Sequence, residues 1–232
     1  MTETAQSIAI KPKFEQGISP TEIIREVGNI GMGHAATALS SLLNTRVDME
    51  IPRFRLFETG TAAEVLSRLD YGSFIVCLDV VGDVRGKIFH VMENEFAEKV
   101  VSIFFGGFTP EGVDMEEIVG SMLSEIGNIT SGAYVNAISE LTSMFVDITP
   151  PLRLDSISQT VLTFLSEQKD TEFSEKYITE VSDKLVFLDN CFRFDGADVR
   201  SYLIFLPCPN AIDDIIDRMR DNYKIKHVTI AR

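Results

Sequence analysis

Residues 22–52 and 121–151 are two copies of one segment, and any fold for this chain has to accommodate both. A shift of 99 superimposes them without a gap. Eleven positions are then identical: Glu26/Glu125, Gly28/Gly127, Asn29/Asn128, Ile30/Ile129, Gly33/Gly132, Ala38/Ala137, Ser40/Ser139, Leu42/Leu141, Val47/Val146, Asp48/Asp147 and Pro52/Pro151. Further along, Asp83-Val84-Arg85 matches Asp198-Val199-Arg200 at a shift of 115. A solenoid needs three or more units to bury its faces. Two copies instead predict one α/β domain of two halves related by a pseudo-twofold axis. The halves are expected at 19–112 and 113–232, behind a loose N-terminal arm, 1–18, that shows no clear period.

The order of elements repeats with the sequence. Ser19-Pro20-Thr21-Glu22 reads as a helix start, with Ser19 capping, Pro20 at the first helical position and Glu22 closing a capping box. The helical period runs to about Asn44. Arg46–Pro52 alternates as a strand, and a short helix is expected over 61–69. Phe74–Val81 and Lys87–Met92 form a hairpin around Gly82–Gly86, followed by a helix over Glu93–Phe105 that Gly106-Gly107 stops. Asp114-Met115-Glu116-Glu117 opens the second half as another capping box. A long helix to Ser143, a strand over Phe145–Leu154 and a short helix over 157–165 follow. Residues 166–182 are polar and read as a loop. Lys184–Phe194 and Val199–Leu206 make the second hairpin, and Ala211–Arg220 a closing helix.

Composition removes several function classes. No apolar run approaches the roughly 18 residues of a membrane helix, and no apolar signal core opens the chain. Cys77, Cys191 and Cys208 are odd in number and lack CxxC spacing, which fits a reducing, cytoplasmic setting. His34, His90 and His227 are scattered, so no metal site is expected. A net charge of −14 disfavours nucleic acid, whose phosphates need a basic partner, and disfavours anionic lipid. It suits either a partner with a basic face or simple solubility.

The chemistry sits in the repeat. Each copy carries Glu-x-x-Asn on a helix, then a proline 23 residues after the asparagine: Glu26, Asn29, Pro52 and Glu125, Asn128, Pro151. Glu22, Glu26 and Asn29, like Ser121, Glu125 and Asn128, recur at i, i+4 and i+7, one narrow stripe. Ile23, Val27 and Ile30, like Met122, Ile126 and Ile129, form an apolar stripe roughly 100° away. Each helix should therefore bury the second stripe and offer the first outward. Each helical glycine costs about 1 kcal/mol relative to alanine. Gly33 and Gly132 lie one turn after the asparagines, where a bare helix admits either a close helix neighbour or a phosphoryl group. Gly28 and Gly127 lie off the stripe and read as close packing between helices. Gly31-Met32-Gly33-His34-Ala35-Ala36 matches a dinucleotide fingerprint, but that motif must follow a strand and open a helix, and here it lies inside one.

The pattern Asp/Ser-x3-Glu-x2-Asn-x22-Pro resembles the signature of the CheC/CheX/FliY phosphatase family. Ser121, Glu125, Asn128 and Pro151 match it in full; Glu26, Asn29 and Pro52 match with Glu22 at the leading position. The resemblance covers about 18–220. It implies a CheC-like fold and hydrolysis of the aspartyl phosphate of a CheY-like response regulator that carries its own Mg²⁺, with no cofactor bound by this chain. It assigns Asn29 and Asn128 to the attacking water and Glu26 and Glu125 to docking against a lysine of the regulator. Ser121, Gly33 and Gly132 then border the substrate, while Pro52 and Pro151 fix the strand exits. Two copies favour a two-site, CheC-like member. A FliY-like chain is expected to add a flagellar switch domain, for which the sequence after Ala211–Arg220 leaves no room. The rival readings are a non-catalytic adaptor that binds the receptor-modifying deamidase CheD or the phosphorylated CheY-like regulator, and a component of the flagellar switch.

Overall fold

The computed structural model describes residues 20–50, 52–58, 66, 67, 69, 73–106, 114–157, 184–194 and 197–230. The elements run α1 (Pro20–Leu43), β1 (Val47–Met49), β2 (Arg53–Glu58), β3 (Ser73–Gly82), β4 (Gly86–Glu93), α2 (Asn94–Phe105), α3 (Met115–Thr142), β5 (Val146–Ile148), β6 (Leu152–Leu154), β7 (Lys184–Phe194), β8 (Ala197–Pro207) and α4 (Ala211–Ile230). The predicted 1–18 arm and 166–182 loop lie outside the described residues. So does most of the two short helices expected at 61–69 and 157–165; residues 66, 67 and 69 are helical.

The strands form one antiparallel sheet in the order β1-β7-β8-β4-β3-β5, with β2 also on β7 and β6 also on β3. Pairing is the same on both sides of the central β4–β8 pair. β1 and β2 of the first half lie on β7 of the second, and β5 and β6 of the second half lie on β3 of the first. The halves thus exchange strands. Segments this short have no independent stability and need a sheet to join.

Local sequence explains how each motif helix ends. Asn44 and Ser143, 99 apart, both turn left-handed at φ 47° and 59°, a common helix stop. Four residues before each stands one of the repeated serines. Ser40 Oγ accepts the N–H of Val47 at 3.0 Å, and Ser139 Oγ donates to the carbonyl of Val146 at 3.3 Å. The serines clip helix to strand. Asp114 caps α3 by accepting from the N–H groups of Glu116 and Glu117 at 3.0 and 3.2 Å.

Three element boundaries differ from expectation. The strand expected over Arg46–Pro52 ends at Met49, and the one over Phe145–Leu154 divides into β5 and β6. A proline has no N–H for the ladder, and Pro52 and Pro151 stand at the two breaks. The ladder's last bonds come just before, from Glu50 N–H to Cys191 O at 3.0 Å and Thr149 N–H to Asp79 O at 2.9 Å. After its break the first half resumes as β2, whose alternation of Arg53 and Arg55 with Phe54 and Leu56 has the strand period. α4 runs to Ile230 rather than Arg220, because 221–230 contains neither glycine nor proline to stop it.

The helices cover one face of the sheet. Ile23, Val27 and Leu39 of α1 and Met122, Leu123 and Ile126 of α3 share a core with Val76, Leu78, Ile88 and Met92. Each such fully buried side chain contributes about 1.5–3 kcal/mol. On the other face Ile75, Phe89, Phe187 and Ile204 pack with Leu66 and Ile157. Two buried polar pairs stitch the helix side: His90 Nε2 lies 2.8 Å from Ser201 Oγ, and the Tyr134 hydroxyl donates to Asn190 Oδ1 at 2.7 Å. Burial pushes the His90 imidazole down to about 3, so it is neutral near pH 7. Among the described residues no helix is long and apolar enough to cross a membrane.

Candidate functional site

The two motif helices present the expected faces. Ile23 and Val27 on α1, and Met122 and Ile126 on α3, are buried. Glu22 and Glu26, and their counterparts Ser121 and Glu125, are exposed, and Asn29 and Asn128 are half-buried. Ile30 and Ile129, expected inside, are only half-buried, since they lie at the margin of the apolar stripe. In each copy a carboxylate at i and a carboxamide at i+3 share one outward face.

The surroundings of the asparagines differ. Asn29 Oδ1 is enclosed and has no hydrogen-bonding partner among the described residues, whereas no such orphan occurs at Asn128. A buried acceptor without a partner costs about 1–3 kcal/mol. It therefore favours any donor that reaches it. Pro52 is buried and its Cγ lies 3.5 Å from where a Cβ on Gly28 would stand, so it packs against α1 one residue before Asn29. Pro151 is half-buried in the link between β5 and β6.

The glycines divide by environment. A Cβ on Gly33 would meet nothing within 4 Å, while one on Gly132 would touch Ile148 Cδ1 at 3.5 Å. The bare face beside Asn29 is thus open, and the one beside Asn128 is bordered by β5. Gly28 and Gly127, read from sequence as helix–helix packing, face the sheet side instead. A Cβ on Gly127 would stand 2.4 Å from Val76 Cγ2, whereas one on Gly28 finds ordinary contacts of 3.5 and 3.6 Å to Pro52 and Leu188. The close helix–helix contact is at Gly31, where a Cβ would lie 2.5 Å from Tyr134 Cδ1 and 2.9 Å from Tyr134 Cα. Sequence reasoning weighed Gly31 as a helix cost and as part of a rejected dinucleotide fingerprint, and missed Tyr134, which has no counterpart in the repeat.

Beside the second copy lies Arg153 of β6. Its guanidinium sits 5.0 Å from the Phe74 ring centroid, 3.8 Å from Glu116 Oε1 and 3.6 Å from a Cβ position on Gly120. The sequence reading missed it because strand pairing, not spacing, brings it to α3.

Among the described residues one group brings three side chains able to ligate a metal within 4.8 Å of one another: Glu50, Cys191 and Asp198. Arg193 already bridges both carboxylates, at 3.0 Å to Glu50 and 2.7 Å to Asp198. Burial, then Glu50 and Asp198, hold the Cys191 thiol above its ordinary range. This group lies beside β1 on the sheet, apart from the motif faces.

The sequence model of the CheC-like family matches residues 22–55 and 118–153, the two motif segments. The chain is 28% identical over 192 residues to the CheY-P phosphatase CheC of Bacillus subtilis, covering 80% of this chain and 87% of that one. Both copies of the motif segment are thus CheC-like. It is also 30% identical over 138 residues to the flagellar motor switch phosphatase FliY of Bacillus subtilis, which covers 56% of this chain and 34% of that protein. Its fold is that of Thermotoga maritima FliY, with a TM-score of 0.60 at 19% identity over 89% of this chain and 99% of that one.

Proposed function

We propose that this CheC-like chain hydrolyses the aspartyl phosphate of a phosphorylated CheY-like response regulator. The observation that carries the reading is the duplicated Glu–Asn pair on the outward faces of α1 and α3, in a chain similar to a protein named CheY-P phosphatase CheC. A carboxamide accepts and donates hydrogen bonds at once and does not titrate. It therefore orients water rather than acting as a base, as a glutamine does in small GTPases. In this reading Asn29 or Asn128 aligns a water with phosphorus. The water oxygen bonds to phosphorus as the bond to the aspartyl oxygen breaks. One water proton stays on the attacking oxygen, the other passes to a phosphoryl oxygen, and aspartate and inorganic phosphate leave.

Glu26 and Glu125 dock the regulator through a lysine beside its phosphorylated residue. Gly33, with open space around it, and Gly132 give the regulator backbone room, and Ser121 borders the second approach. Mg²⁺ belongs to the regulator's own site, and this chain supplies none of its ligands. Pro52 supports the first site through its packing at Gly28.

The test is decay of labelled phospho-regulator with wild type and with Asn29→Ala/Asn128→Ala. The double variant should return decay to the spontaneous rate while its melting curve stays near wild type. Fast decay in the double variant removes the asparagines from the mechanism.

A further inference from the structure

We propose that Tyr134, carried by the second motif helix, is the positioning residue of the first site: wedged against Gly31 and tied to Asn190, it sets where α1 holds Asn29. The inference rests on the phosphatase reading above and adds to it a contact that the repeat does not contain.

Tyr134 touches α1 at backbone range. Its Cα and ring both lie closer to Gly31 than any side chain there would permit, at 2.9 and 2.5 Å from a Cβ position. The ring cannot swing away. It is 4% exposed, and its hydroxyl donates to Asn190 Oδ1 on β7 at 2.7 Å. Burial pushes the phenol above its ordinary range, so the hydroxyl keeps its proton and its role as donor.

One stretch of the inner face of α1 gives less support. An apolar cavity of about 50 Å³ lies under this stretch, lined on the α1 side by Ile24, Val27 and Gly28 and bordered by Tyr134 itself. Interiors transmit position through close contacts, and a void has none to offer. At Gly28 the helix meets Pro52 and Leu188 at ordinary distance and at Gly31 it meets Tyr134 at close range, while Ile30 between them packs on the margin of the core. Asn29 stands between those contacts. Its Oδ1 has no partner among the described residues, so no hydrogen bond through that atom holds the carboxamide independently of the helix.

The second copy is built differently. At the shift of 99, Gly31 corresponds to Thr130 and Tyr134 to Ala35. Small-plus-large on one side of the axis becomes medium-plus-small on the other, and Ala35 can neither wedge nor anchor. The role of Tyr134 thus falls on Asn29 and not on Asn128.

The experiment separates the sites. With Asn128→Ala as background, only the first site remains, and Tyr134→Phe removes the anchor but keeps the ring. The turnover number should fall roughly tenfold while KM holds, since misplacement of an orienting group costs chemistry more than docking. With Asn29→Ala as background, Tyr134→Phe should leave turnover unchanged. Gly31→Thr/Tyr134→Ala, which copies the second pairing, should recover activity over Tyr134→Ala alone. Amide hydrogen exchange supplies a readout independent of phosphatase activity: Tyr134→Phe should speed exchange around Asn29–Gly33 and not around Asn128–Gly132. Equal loss at both sites, no loss at either, or unchanged exchange in α1 overturns the proposal. So does an Asn128→Ala protein with no activity, an outcome that leaves the phosphatase reading intact. Full activity in Asn29→Ala/Asn128→Ala removes the asparagines from the mechanism and the proposal with them, whereas wild-type protein that does not speed decay of the phospho-regulator overturns the phosphatase reading itself.

Discussion

The stretches Glu26–Gly33 on α1 and Glu125–Gly132 on α3 repeat the same glutamate, asparagine and glycines, yet the molecule holds them in different ways. On the outer face the copies agree: glutamate exposed, asparagine half-buried. On the inner face they part. Gly127 is pressed on Val76 of the central sheet, while Gly28 has room. Gly31 receives Tyr134, where the second helix has Thr130 and the first has Ala35. On the outer face, too, the glycines beside the asparagines differ: Gly33 opens to space and Gly132 meets Ile148. At the leading position the first copy has the acid Glu22 and the second has Ser121, with Arg153 close by. The duplicated face is the one a common partner would meet. The inner faces answer to two different sets of neighbours.

Substituting the paired glycines should break the likeness most. Gly127→Ala drives a methyl into Val76, a stiff side chain in the core, and should cost about 1–3 kcal/mol by overpacking. Gly28→Ala finds ordinary contact distances and gains up to about 1 kcal/mol of helix propensity. Denaturant midpoints of the two variants should move in opposite directions. Parallel shifts would mean that the two helices rest on the sheet alike.

Next in size is the open face. Gly33→Leu adds bulk where no atom lies within 4 Å, so the fold should tolerate it. In an Asn128→Ala background it should nevertheless raise KM for the phospho-regulator several-fold, because it obstructs approach and leaves the orienting amide in place. Unchanged KM would show that the regulator does not approach across Gly33.

The smallest effect expected is electrostatic. Glu22 adds an exposed negative charge one turn before Glu26, and surface charges of this kind are worth under about 1 kcal/mol and are screened by salt. Glu22→Ser should speed first-site turnover by a factor of about five or less at low ionic strength, and the gain should vanish in high salt. An effect that survives high salt would point to a contact rather than a field.

Much of this was legible before any coordinates. Asp114 announced its cap, and the i, i+4, i+7 spacing placed the Glu and Asn on one outward stripe. The shift of 99 predicted two helices ending near Asn44 and Ser143; that both ends turn left-handed came only with the structure. The repeat also held Ser40 and Ser139 in plain view, although only the hydrogen bonds to Val47 and Val146 show what they are for. Pro52 and Pro151 marked the strand exits but not the breaks in the ladder, because whether a missing N–H matters depends on which strand lies alongside.

What the sequence determined by itself is whatever one helix or one hairpin decides internally: its period, its caps, which side faces outward, and the duplication that carries the candidate chemistry. Tertiary structure decided what depends on a neighbour from the other half: the exchange of β1 and β2 for β5 and β6, the seat of Gly127 on Val76, the approach of Arg153 to α3, and the wedge of Tyr134 against Gly31. A side chain's direction follows from the backbone it belongs to. The atom it meets follows from the packing of elements far apart in the chain, and no spacing within either copy encodes that.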